Sequence, residues 1–195
     1  MAKSNPRVVR HKRDPLVAIS VSVDDELDIS TLREIALIAF DEQCNAIGYY
    51  EAIIKRDKEY KYKKNPLLRP FSVVADDVMA FFESITHKDL VVDSIRIRLV
   101  GFGLHKHYQH LHYLLGDLFY DFIFPAVIDV STLEEFKYET SDRAYTEAGP
   151  LAFARRIGVP FELNSATNLQ YADLYRRMYR ELVANGTHAV YPVVR

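Results

Sequence analysis

Hydrophobic positions in the first third of the chain fall in runs and alternations of period two, and then in stripes of period 3.6. Residues 15–23 contain the near-continuous apolar run LVAISVSV and read as a first strand. REIALIAFD at 33–41 and IGYYEAII at 47–54 are two further apolar, β-branched and aromatic runs. The short polar link EQCNA joins them, with Asn45 near its tip, so the three runs predict an antiparallel meander. In SVVADDVMAFFESI at 72–85 the period changes, and Val73, Val74, Met79, Phe81, Phe82 and Ile85 lie largely on one helical stripe.

SIRIRLVGF at 94–102 alternates and reads as a strand; HKHYQHLHYLLGDLF at 105–119 reads as a helix; PAVIDVSTL at 125–133 is a strand with a polar end. GPLAFARRIG at 149–158 predicts a short helix closed by Gly158. In SATNLQYADLYRRMYRELVANG, Leu169, Tyr171, Leu174, Met178 and Leu182 recur at helical spacing, and Gly186 marks the end. The order β-β-β-α-β-α-β-α-α predicts a mixed α/β sheet with helices packed on its faces.

A chain of 195 residues, 49% hydrophobic, supports one domain with a real core. We expect it over 15–186, between a basic tail at 1–14 and a C-terminal tail at 187–195. The single cysteine, Cys44, excludes an internal disulfide and reads as a packed small hydrophobe. No apolar run approaches the roughly 20 residues that span a bilayer, and the N-terminus lacks the apolar segment of a signal peptide. The expectation is an intracellular protein with no membrane association, cytoplasmic and nuclear locations being left open.

The net charge of −2 is unevenly spread. Residues 1–14 carry five cations against one acid, Arg10, Lys12 and Arg13 among them, and 55–64 carry six against two. The rest of the chain therefore stands at −10. In the second basic segment Lys55, Arg56, Lys58, Lys61, Lys63 and Lys64 are interleaved with Tyr60 and Tyr62. That combination can hold a single strand through phosphate charge and base stacking, and equally describes a solvated loop. The aromatic-rich HYLLGDLFYDFIF at 112–124 is the most apolar segment; it serves helix core and offers a surface to a protein partner or a second copy.

Ser20 and Ser22, two residues apart on an apolar strand, point to the same face. Together with their context they carry a resemblance. LVAISVSV followed by LREIALIAFDEQCNAIGYYEAII resembles the first motif and hairpin of the DEDD (DEDDh-type) 3′-5′ exonuclease superfamily, in which apolar-Asp-x-Glu precedes a Glu-Ile-Gly/Ala strand. LVGFGLHKHYQHLHYLL resembles the central motif, VIDVSTLEEF the strand after it, and PLAFARRIGVPF with QYADLYRRMYREL the closing helices. The similarity spans about 15 to 185. It implies a ribonuclease-H-like exonuclease fold with a mixed five-stranded sheet, three antiparallel strands and two reached by helical crossovers, and helices on both faces.

In that family four acids hold two divalent ions and a histidine activates water. The resemblance puts the first acid pair at Ser20 and Ser22, the central acid at His107, the closing acid at about Thr167 and the general base at about Glu162. None of the four metal-binding acids is present at these positions. Magnesium takes hard anionic oxygens, which serine cannot supply, and histidine is a softer ligand. The expectation is no catalytic residue, no metal and no cofactor: a pseudo-nuclease serving protein interaction, RNA binding or both in an RNA-processing or RNA-silencing type assembly. Two alternatives remain open, an active metal-dependent exonuclease using displaced acids such as Asp24 or Glu26, and a purely structural dimerisation domain. The histidines of HKHYQHLH read as a partly solvated helix face.

Overall fold

The computed structural model of the protein describes residues 15–25, 28–55, 65–86, 96–132, 149–161 and 167–184. The chain runs β1 (Leu16–Val23), β2 (Leu32–Phe40), β3 (Ala46–Ile54), β4 (Leu68–Arg69), α1 (Phe71–Thr86), β5 (Arg98–Gly101), α2 (Leu104–Leu115), α3 (Phe119–Phe122), β6 (Ile128–Asp129), α4 (Pro150–Arg156) and α5 (Asn168–Ala184). The strands form one mixed sheet in the order β4-β3-β2-β1-β5-β6. β1, β2 and β3 are the predicted antiparallel meander, with Ser20 opposite Ala36 and Ser22 opposite Glu34. β5 returns parallel to β1 after α1, and β6 lies parallel to β5.

The sheet has six strands where five are expected. The extra one, β4, is two residues between Pro66 and Pro70, too short to show any alternation. It is fixed by backbone bonds from Ile53 N to Leu67 O and from Lys55 N to Arg69 O. The strand expected over 125–133 is only Ile128–Asp129, because the chain turns helical from Val130 to Thr132. The helix expected over 105–119 breaks at Gly116, whose φ of +58° suits glycine and ends α2, and a 3-10 turn leads into α3.

Side chains alternate across the sheet and feed two cores. Val17, Ile19 and Val21 of β1 join Ile35, Leu37 and Ala39 of β2 beneath α1, α2 and α3. The α1 stripe Val74, Val78 and Phe82, at i, i+4 and i+8, is buried there completely. Each such side chain contributes roughly 1.5–3 kcal/mol by leaving water. The opposite face carries Ala18, Ala36, Ile38 and Phe40 beneath α4 and α5. Here the sheet presents small residues, and α5 answers with Ala172, so helix and strands approach closely. α4 starts on Pro150 after Gly149 and is closed by Gly158 at φ +79°. Among the described residues no helix is long and apolar enough to cross a membrane.

The expected tails at 1–14 and 187–195, and Gly186, lie outside the described residues.

Candidate functional site

Ser20 and Ser22 sit on the α5 face of β1, in the row begun by Ala18. Glu34, opposite Ser22 on β2, points to the same face. The first residue of α5, Asn168, descends onto them from above and is buried. Ser20 Oγ donates to Asn168 Oδ1 at 2.9 Å. Asn168 Nδ2 donates to Ser22 Oγ at 2.8 Å and to Glu34 Oε2 at 2.6 Å. The amide thus spends both N–H groups and its carbonyl on three partners from two strands, and joins the start of α5 to the sheet. Ser20 is also within hydrogen-bonding reach of the buried Tyr175, two turns along α5. Burial is the largest influence on that phenol and pushes its pKa far above the usual tyrosine value; the Ser20 contact lowers it, while Tyr171 and Asp129 add to the rise.

Next to this centre, Asp129 at the end of β6 holds the start of α2. Its Oδ2 accepts from Leu104 N at 2.7 Å and its Oδ1 from Gly103 N at 3.1 Å, Ser131 N at 3.0 Å and Ser131 Oγ at 2.6 Å. A carboxylate at the positive end of the helix dipole satisfies N–H groups that have no intrahelical partner. LVGFGL is built for this junction. A Cβ on Gly101 would come within 3.3 Å of Ile19 O and 3.1 Å of Leu104 Cδ1, and Gly103 takes φ +62°.

The positions named from sequence meet different fates. Ser20 and Ser22 come together as their spacing requires. Thr167 does not enter: it is exposed, and its backbone N–H bonds to Gln170 Oε1 at 2.8 Å. Asn168, one residue on, is the α5 side chain that meets the two serines. His107 is half-buried in the second turn of α2, its ring centroid 6.4 Å from that of His110. His110 is itself buried, so the solvated-face expectation fails for it, because the helix turns that position inward beside Leu111 and Leu114. Glu162 and Glu26 lie outside the described residues, as do Arg10, Lys12, Arg13, Arg56, Lys58, Tyr60, Lys61, Tyr62, Lys63 and Lys64; Lys55 is described and exposed. Asp24, exposed at the end of β1, stands 3.5 Å from the Arg33 guanidinium. The 112–124 segment divides into buried Leu114, Phe119, Phe122 and Ile123 and exposed Tyr113, Leu118 and Tyr120.

Two divalent ions bring four positive charges, and among the described residues this centre offers one carboxylate, Glu34, already held by Asn168. Ser20 and Ser22 add neutral hydroxyls. No group of three or more His, Cys, Asp or Glu among the described residues is placed to hold a metal ion. This donor set does not fit a two-metal centre.

No family model matches the chain, and no curated protein matches it either. Solved structures do. One chain from the structure of the yeast NOT1 MIF4G domain co-crystallized with CAF1, a structure of two proteins, superposes with a TM-score of 0.64 over 90% of this chain and 81% of its own length, at 11% identity. Product-bound exonuclease I superposes with a TM-score of 0.60 over 89% of this chain and 44% of its own length, at 8% identity. At such identities the likeness is one of fold, and it shows that this mixed α/β sheet with its flanking helices is shared with an exonuclease.

Proposed function

We propose that this chain is a catalytically inactive, intracellular exonuclease-like domain that works by binding other macromolecules. Its principal role is protein interaction, with RNA as a further partner, in an RNA-processing or RNA-silencing type assembly. The observation that carries this reading is the Asn168 amide closed onto Ser20, Ser22 and Glu34. Where the resembling nucleases gather several carboxylates around ions, this chain gathers a single carboxylate, Glu34, with three neutral polar side chains, joined by hydrogen bonds. Such a centre is stable without a cation, since it lacks the like-charge repulsion that a cluster of acids must offset.

The two fold neighbours support the setting: one structure pairs two proteins, NOT1 and CAF1, and the other is an exonuclease with product bound. The exposed Tyr113, Leu118 and Tyr120 supply apolar surface of the kind that partners cover.

The test is incubation of the pure full-length chain with 5′-labelled single-stranded RNA in magnesium and in manganese. The expected result is an intact strand in both. Progressive 3′ shortening that disappears in Asp24→Ala or Glu34→Gln protein would establish the displaced-ligand nuclease instead. Gel retardation of the intact strand, weakening as salt rises, separates an RNA binder from a scaffold that ignores it.

A further inference from the structure

α5 packs across β1 and β2 and meets β3 only at its margin. On the face where Ile38 of β2 is buried against the helix, its partner across the ladder, Tyr49, is 72% exposed. Two residues before it, at the irregularity in the β2–β3 ladder, Ile47 is 57% exposed. These are the most exposed large apolar side chains of the described residues. Beside them runs a groove of about 610 Å³, walled by Ile38, Tyr49, Phe161 and Leu169 and edged by Asp173 and Arg177. Its size falls within the range of about 300–1,000 Å³ typical of sites that bury a ligand group.

The two charged side chains that line the groove pair with one another, and the same Asp173 carboxylate also holds Arg176 at 2.6 Å. Arg177 Nε stands 3.0 Å from Asp173 Oδ2, its Nη1 donates to Pro160 O at 2.8 Å, and its guanidinium lies over the Phe161 ring at 6.0 Å. A polyanion needs cations that are not already matched, and a charged side chain entering here would lose hydration without gaining a counter-ion. The apolar surface also continues past the Tyr49 wall of the groove to Ile47, two residues away on β3.

We propose that the groove between α5 and β3 is a docking site for a short, uncharged, apolar segment of a partner protein, with one aliphatic or aromatic side chain seated between Tyr49 and Leu169. Tyr49 is the anchor: a rigid, mostly exposed ring that gains most when covered, as interface tyrosines do. The site stands apart from the Ser20–Asn168 centre. A chain that shortened RNA could still dock a peptide here, so this proposal and the preceding one fail separately.

The experiment is selection of a random short-peptide library displayed on phage against the full-length chain, followed by titration of the consensus synthetic peptide. The expected consensus is a run of Leu, Ile, Val or Phe without charge, bound with little salt dependence. Its affinity should fall about tenfold or more in Tyr49→Glu protein, recover in Tyr49→Phe, and stay unchanged in Tyr120→Glu, with thermal melts showing each variant folded. The proposal is overturned by no enrichment, by a charged consensus, by binding indifferent to Tyr49→Glu, or by displacement of the peptide by oligouridylate.

Discussion

Replacing Asn168 by aspartate is a change of one atom type at the centre of the fold, and its cost can be worked from the contacts. The aspartate keeps the acceptor for Ser20 but loses both N–H donors, to Ser22 at 2.8 Å and to Glu34 at 2.6 Å. The bond to the charged Glu34 is worth about 1.5–3 kcal/mol and the bond to Ser22 about 0.5–1.5 kcal/mol. The new carboxylate then faces Glu34. Relaxed to roughly 4 Å at an effective dielectric near 20, the two charges repel by about 4 kcal/mol. Asn168→Asp should therefore be destabilised by about 5 kcal/mol or more near neutral pH, which for a chain of 195 residues lowers Tm by about 10 °C or more. Asn168→Ala loses the same donors and the Ser20 acceptor without the repulsion, and should cost about 3 kcal/mol near neutral pH.

The pH dependence separates the two variants. A carboxylate whose folded pKa is raised by a like charge contributes stability that is present below its unfolded value near 4 and lost as pH rises through the folded value. Once protonated, the introduced carboxyl also recovers a donor. Aspartate should thus be the better replacement near pH 4 and the worse one near pH 7, with the curves crossing between. Because two carboxylates now face one another, millimolar manganese should raise the Tm of Asn168→Asp and leave that of the unsubstituted protein where it is. Thermal melts across pH, with and without manganese, measure all of this. Parallel curves for the aspartate and alanine variants, or a rise of several degrees with manganese in the unsubstituted protein, would refute the account of the centre as a self-satisfied network with a single carboxylate.

Three further outcomes follow from the same structure. Tyr50 and Tyr175 have phenols raised by burial, so the unfolded chain releases their protons near pH 10 while the folded chain holds them; stability should fall above about pH 10, and less steeply in Tyr175→Phe, as urea titrations at alkaline pH will show. Asp129→Ala leaves the amides of Gly103, Leu104 and Ser131 without their acceptor and should cost about 3 kcal/mol, against about 1 kcal/mol for Gly103→Ala at its positive φ, both read by urea denaturation. Cys44 is buried and its thiol is pushed up by burial, so an aromatic disulfide reagent should label it only as fast as the chain opens; rapid labelling of native protein would contradict its placement.

Much of this architecture is legible in the chain because burial writes a period into it. β1, β2 and α1 bury whole faces, so their runs and stripes show. β4 is two residues and exists through hydrogen bonds to its neighbour, which leave no pattern, while PAVIDVSTL shows β6 at its place and overstates its length, since only Ile128–Asp129 pair. Gly116 gives a visible sign, a glycine inside an apparent helix, whose weight shows only once its φ of +58° is seen. The closing position of the centre lies one residue from its expected place for a related reason. Counting back from Tyr175 by the spacing of the resembling family leads to Thr167, whereas the buried stripe of α5 itself, Tyr175 and Ala172, extends by four residues to Asn168. The helix period is the better ruler.

The two serines of β1 then have a physical reason that does not depend on any relative. A helix laid close over a sheet needs small side chains beneath it, and Ala18, Ala36 and Ala172 meet that need where nothing polar is buried. At the start of α5 the first helical turn brings backbone N–H groups and a polar side chain down with it, and apolar small residues there would leave the Asn168 carbonyl and one of its N–H groups without the serine partners they have. Serine has nearly the size of alanine and adds a hydroxyl that can donate, as Ser20 does, or accept, as Ser22 does. The pair therefore meets two demands at once, close packing and complete hydrogen bonding, and a strand that must do both under a helix start has few other residues to choose from.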